Sequence, residues 1–204
     1  MFFDIHTHKN PVSGTSAIYN IPLVDVENFL ASDMQAQFSA GIHPLFIDDF
    51  AAEWLEKMKM WLNDTRFVAI GECGLDKNSA ASLEKQIEVF EKQITLSEKW
   101  RKPLIIHCVG RFNELFELKK HLNPQQKWII HGFRGKPQLA EQALKAGCYL
   151  SFGEHFNPES VRITPSGKLF VETDESELSI EEIYRLILNY TESHEKHRDA
   201  QGIF

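Results

Sequence analysis

His6-Thr7-His8 closes the short apolar run Phe2-Phe3-Asp4-Ile5 and sets two imidazoles two residues apart. On a strand, residues two apart point to the same side. Asp4, His6 and His8 are therefore expected on one face, with Phe3 and Ile5 on the other. One carboxylate and two imidazoles make a donor set for a divalent cation. Taken alone, the pair fits two surface histidines after an edge strand equally well. The rest of the chain repeats the pattern. Short β-branched or aromatic runs end at Glu72, His107, His131 and Asp174. A lone histidine at a strand end usually hydrogen-bonds to a nearby loop. Six metal-competent side chains (His6, His8, Glu72, His107, His131 and Asp174) ending five strands are hard to treat as independent accidents. Imidazole with carboxylate suits one or two divalent ions: zinc, manganese or iron, with magnesium at oxygen-rich positions.

Such a set needs a scaffold that brings strand ends together. Strands are expected at about 2–6, 17–20, 35–41, 67–72, 104–108, 128–131, 148–152 and 169–173. Helical periodicity runs over Asp48–Asn63, Ala80–Trp100 and Arg111–Leu122. Pro137 suits the first position of a helix ending at Ala146-Gly147, and Ser179-Ile180-Glu181-Glu182 reads as a capping box. Alternating strands and helices imply a parallel sheet with crossover helices. Eight strands with functional residues at their C-terminal ends point to an α/β fold, a TIM-like (β/α)8 barrel. Residues 9–34 leave little room for two full crossovers, so the barrel should be distorted and shortened near its N-terminus.

At 204 residues, 43% hydrophobic and 25% charged, the chain fits a single globular domain over 1–204. No segment has the length of a transmembrane helix, and the start lacks the basic-then-apolar pattern of a signal peptide. Cys73, Cys108 and Cys148 form no paired spacing, which points to reduced thiols and a cytoplasmic setting. Alternation turns Cys73 and Cys108 away from the ligand face, into packing. A net charge of −7 argues against broad non-specific attraction to nucleic acid. It leaves a phosphate substrate open, because bound cations dominate a local field. No membrane and no obligate protein partner are implied.

The ordered set Asp4-Ile5-His6-Thr7-His8, Gly41-Ile42-His43-Pro44, Gly71-Glu72-Cys73-Gly74-Leu75-Asp76, Ile106-His107, His131-Gly132-Phe133-Arg134-Gly135 and Glu172-Thr173-Asp174 resembles the TatD family of metal-dependent hydrolases. The resemblance implies a TIM-like barrel, bound divalent metal and hydrolysis by a metal-activated water, often of phosphodiester bonds in DNA. It further implies that His6, His8 and Asp174 hold one metal, that His107 and His131 hold a second, and that Glu72 bridges them. Glu72 and Asp174 are then the catalytic carboxylates, with Asp174 able to accept the nucleophile's proton. A bridging carboxylate allows two cations to sit roughly 3.5–4 Å apart. Glu175-Ser176 stands where the family usually has Ser or Ala followed by Pro. Leu45 stands where a histidine or aromatic is common. Both departures, with the short tail, resemble a short-chain branch of the family. The substrate is expected to be a small phosphoester or a nucleic acid. Two alternatives stay open: an amidohydrolase or lactonase on the same barrel, and a non-catalytic metal-binding barrel.

Further residues fall near the expected mouth. His43, Arg111 and Arg134 follow strands and are candidate phosphate or substrate contacts; rim hydrogen bonding or plain surface exposure is the competing reading. Asp4 is expected to orient a ligand histidine. Asp76 is expected to orient the loop of Glu72 or an arginine, or simply to form a turn. His155 sits near the rim. His194 and His197 fit a solvated helix face.

Overall fold

Eight short strands, each extended by β-branched or aromatic residues, form one parallel sheet in chain order β1 to β8. They are β1 (Asp4–Thr7), β2 (Ala17–Asn20), β3 (Gln37–Ala40), β4 (Phe67–Asp76), β5 (Leu104–Val109), β6 (Trp128–Ile130), β7 (Tyr149–Phe152) and β8 (Leu169–Val171). The computed structural model describes residues 2–47 and 51–201, with side chains through residue 190. The expected start of a helix at Asp48 and the side chains of His194 and His197 lie outside the described residues. A bridge between Thr7 and Asp174 closes β8 onto β1, making the sheet a nearly closed barrel. There the His8 N–H donates to the Asp174 carbonyl (3.1 Å) and the Asp174 N–H to the His6 carbonyl (3.0 Å).

The helices outside are α1 (Val26–Ala31), α2 (Ala51–Trp61), α3 (Leu83–Trp100), α4 (Phe112–Leu122), α5 (Pro137–Lys145), α6 (Pro158–Ile163) and α7 (Ile180–Gln201). No helix joins β1 to β2, and only the six-residue α1 and a 3-10 turn join β2 to β3. The shortening thus falls where residues 9–34 predict it. Helix α6 is an addition to the sequence reading. Asn157 caps it by accepting the Ser160 N–H, and Pro158 fills its first position. At the start of α7, the Ser179 N–H donates to Glu182 and the Glu182 N–H to the Ser179 hydroxyl, the expected capping box.

Two cores hold this arrangement. The larger lies between helices and barrel and includes Phe38, Met58, Phe67, Phe90, Trp128 and Phe152. The smaller is built from strand side chains, Ile5, Ile18, Ala69, Ile105 and Ile129, and fills the barrel below the mouth. Ile105 and Ile129 lie two residues before His107 and His131, so those strands carry one interior face up to the site.

Strict alternation fails in two strands, and both failures aim a site residue. In β4, Ala69 faces the barrel interior, while Ile70, Cys73 and Leu75 pack in the outer core. Alternation from Ala69 would turn Glu72 outward. The register against β5 shifts between Ile70 and Cys73, and this irregularity returns Glu72 to the mouth. In β1 the register shifts between Asp4 and Thr7. Ile5 therefore packs inside and His6 still reaches the mouth. The expectation that Asp4, His6 and His8 share one face is corrected: Asp4 turns to the closing seam.

Candidate metal centre

Glu72 lies at the centre of a circle of five imidazoles. Its Oε1 is 3.0 Å from His6 Nε2 and 2.7 Å from His8 Nε2. Its Oε2 is 3.2 Å from His43 Nε2, 3.2 Å from His131 Nε2 and 3.6 Å from His107 Nδ1. Asp174 closes the first side, with Oδ1 3.8 Å from His6 and 3.6 Å from His8. The six expected ligands, drawn from distant parts of the chain, thus converge at one mouth. Two donor groups stand out: His6, Glu72, His131 and Asp174, and His43, Glu72 and His107. His131 faces Oε2 as His107 does and also lies near His6 and Asp174, whereas His43, whose Nδ1 accepts the Leu45 N–H at 3.1 Å, presents an Nε2–H to Glu72 beside His107.

The donors suit divalent ions. Glu72 is almost completely buried, and the His131 ring is 7% exposed. His6 Nδ1 and both His131 ring nitrogens are buried without a hydrogen-bond partner, as is Glu172 Oε2. Orphaned nitrogen and oxygen atoms around a shared carboxylate are what a bound cation would satisfy. Burial raises the Glu72 pKa, but His131, His43 and His6 outweigh it and hold the carboxyl far below its ordinary range. Burial also pushes Asp174 up. The hydrogen bond to Glu72 raises His8, whereas burial lowers His107.

Polar residues behind the ring fix its geometry. Asp76 Oδ2 sits 2.8 Å from His107 Nε2 and its Oδ1 accepts the Asn78 N–H at 2.7 Å, so Asp76 engages a ligand ring and also forms the expected turn, rather than holding an arginine. Glu172 faces His131, with Oε1 3.7 Å from Nδ1, and also accepts the Gly132 N–H. Asn20 accepts the Glu72 N–H at 3.2 Å. Asn20 has no role in the sequence reading, and Glu172 enters it only within the motif Glu172-Thr173-Asp174, two residues before an expected ligand. Buried Gln93 of α3 clasps Ile42, accepting its N–H (2.8 Å) and donating to its carbonyl (3.1 Å), one residue before His43. Gln86, two turns earlier, accepts the Asp76 N–H. Gly41 lets β3 approach: a β-carbon there would lie 2.7 Å from the Glu72 carbonyl oxygen. Asp4 accepts the Thr173 N–H (3.0 Å), the Thr173 hydroxyl (2.7 Å) and the His6 backbone N–H (3.3 Å). It ties the barrel seam and does not touch a ligand ring.

Beside the ring, a cavity of about 480 Å³ is lined by Arg134, Glu154, His155, Asp174, Glu175 and Glu177 among others. A second of about 410 Å³ is bordered by His107, His131, Arg134 and Asp174. Arg134 thus reaches both cavities and is exposed. Arg111 instead pairs with Glu114 at 3.0 Å.

The family model for TatD related DNase matches residues 24–179. An uncharacterized metal-dependent hydrolase of Buchnera aphidicola is 31% identical over 74% of this chain and 60% of its own length. The "3'-5' ssDNA/RNA exonuclease TatD" of Erwinia tasmaniensis is 26% identical over 67% of this chain and 56% of its own. The chain thus spans about 60% of the length of these curated relatives. The crystal structure of YjjV, a TatD homologue from Escherichia coli K12, superposes with a TM-score of 0.68 at 20% identity, covering 93% of this chain and 96% of that one.

Proposed function

Because the chain belongs to the TatD-related DNase family, we propose that it is a metal-dependent hydrolase of phosphodiester bonds, acting on nucleic acid or a small nucleotide ester. The observation that carries this reading is the division of the Glu72 carboxylate, Oε1 toward His6 and His8, Oε2 toward His43, His107 and His131. His6, His8 and Asp174 would hold one divalent ion, His107 and His131 another, and Glu72 would serve both, with His43 donating to Glu72 from Nε2 because its Nδ1 accepts the Leu45 N–H. When bound, such ions supply Lewis-acid charge for the attacking and leaving oxygens. Asp174 Oδ1 faces the same opening and would take the proton of the attacking water. Asp76 and Glu172 would fix the rings of His107 and His131 so that the same nitrogens stay directed at the centre. Arg134, which borders both cavities, would meet a non-bridging phosphate oxygen. Residues 1–204 would act as one catalytic domain. The three free thiols support a reducing, cytoplasmic setting.

The test is a substrate panel: metal-stripped protein and protein reloaded with zinc, manganese or magnesium, against single-stranded DNA, RNA, a model phosphodiester, a lactone and an amide. Phosphodiester turnover that disappears on stripping and returns on reloading supports the proposal. Efficient lactone or amide cleavage without phosphodiester turnover replaces it with a carbonyl hydrolase.

A further inference from the structure

Resting on that hydrolase reading, we infer that Phe46 is a stacking platform for an unpaired nucleobase next to the scissile phosphate. Phe46 is 75% exposed, more than any other large apolar side chain among the described residues. It is not carried on a loose loop. The 3-10 turn Pro44–Phe46 begins at His43, whose Nδ1 accepts the Leu45 N–H (3.1 Å) and whose carbonyl accepts the Phe46 N–H (2.9 Å). Ser79 holds the same turn from outside, donating to the Pro44 carbonyl at 2.6 Å. A pinned turn therefore keeps a bare ring in water at the mouth.

Its neighbours say what would cover it. The Phe46 ring lies 5.4 Å from the His43 ring, and His43 Nε2 is 3.2 Å from Glu72 Oε2. One side chain separates the platform from the shared carboxylate, about the reach from a phosphate to its adjoining base. The charge around it suits a phosphate chain. Lys77, exposed on the loop that Ser79 also belongs to, lays its stem against Gly110, next to Arg111. Glu154, Glu175 and Glu177 line the cavity that also holds Arg134 and His155, and neither Phe46 nor Lys77 borders it. Backbone phosphates are thus favoured on the flank of Lys77. Stacking on an aromatic ring accepts any base but requires that base to be free of a duplex.

The experiment compares wild type, Phe46→Ala and Phe46→Trp on a short single-stranded oligonucleotide and on copies carrying one abasic residue at each position near the cleaved bond. Truncating a side chain this exposed should leave the melting temperature unchanged. Phe46→Ala should lose roughly 5- to 150-fold in kcat/KM on the intact strand, the usual range for a base-stacking aromatic, and Phe46→Trp should retain it. At one abasic position wild type should fall by a similar factor and Phe46→Ala should fall no further. Independently of turnover, 2-aminopurine in a bound strand should be quenched by metal-stripped wild type and not by Phe46→Ala. Equal loss on intact and every abasic strand, or no loss at all, overturns the proposal. If wild type cleaves no oligonucleotide, the hydrolase reading fails, while the quenching measurement still decides the role of Phe46.

Discussion

Removing the Glu72 carboxylate takes away the group that both sets of imidazoles share, so Glu72→Gln should abolish more activity than any change behind the ring. The loss should exceed the roughly 10–100-fold typical of residues that orient a ligand. Asp76→Asn should fall within that range, because His107 keeps its place and loses only its anionic partner. Circular dichroism and melting curves should stay near wild type for both, since the apolar cores lie elsewhere. Near-normal rates for metal-loaded Glu72→Gln would remove the shared-carboxylate reading. Asp4 belongs to a different class. Its carboxylate serves three donors at the seam, and burial pushes its pKa up. Asp4→Ala leaves the Thr173 and His6 N–H groups buried without their acceptor, at about 1–3 kcal/mol for each group left unpaired. Its melting temperature should drop far more than that of Asp4→Asn, which keeps an acceptor oxygen. Equal melting for the two variants would contradict the seam role.

The elements show which parts of the sequence were legible. The eight strands and the long helices follow from apolar period and flanking signals, because burial of those stripes has no local competitor. Side-chain direction was legible only where alternation holds. His107 and His131 obey it above Ile105 and Ile129. Glu72 and Asp4 do not, because register shifts in β4 and β1 depend on pairing with neighbouring strands, which no single-strand pattern contains. Gln93 shows a second limit. On the amphipathic α3 it reads as one more polar residue, yet it is fully buried and closes both backbone bonds of Ile42. Gln93→Leu should leave that buried N–H and carbonyl unpaired, destabilising by about 1–3 kcal/mol per group. Because His43 follows immediately, activity should fall further than stability explains. A variant that melts early but turns over normally below its transition would limit Gln93 to a structural role.

The whole molecule carries −7, with the mouth split between a basic flank and an acidic one. No helix among the described residues is long and apolar enough to cross a membrane. A polyanion approaching this surface meets Lys77 and the Glu114-paired Arg111 on one side, and on the other Glu154, Glu175 and Glu177 around the cavity that Arg134 also lines. Glu154 is partly engaged, accepting the Ser176 hydroxyl at 2.6 Å. Glu175 is exposed beside Asp174 and borders the cavity that Arg134 also reaches. Its charge acts through solvent, so the repulsion is long in range but open to screening. Glu175→Gln should therefore raise kcat/KM for an oligonucleotide a few-fold at low ionic strength. The gain should shrink toward physiological salt, where the screening length is about 8 Å, and should be absent for an uncharged ester. A gain that persists at high salt would mean direct contact with the substrate. No gain at any salt would mean that the carboxylate turns away from the path of the phosphates, leaving the acidic flank without influence on substrate choice.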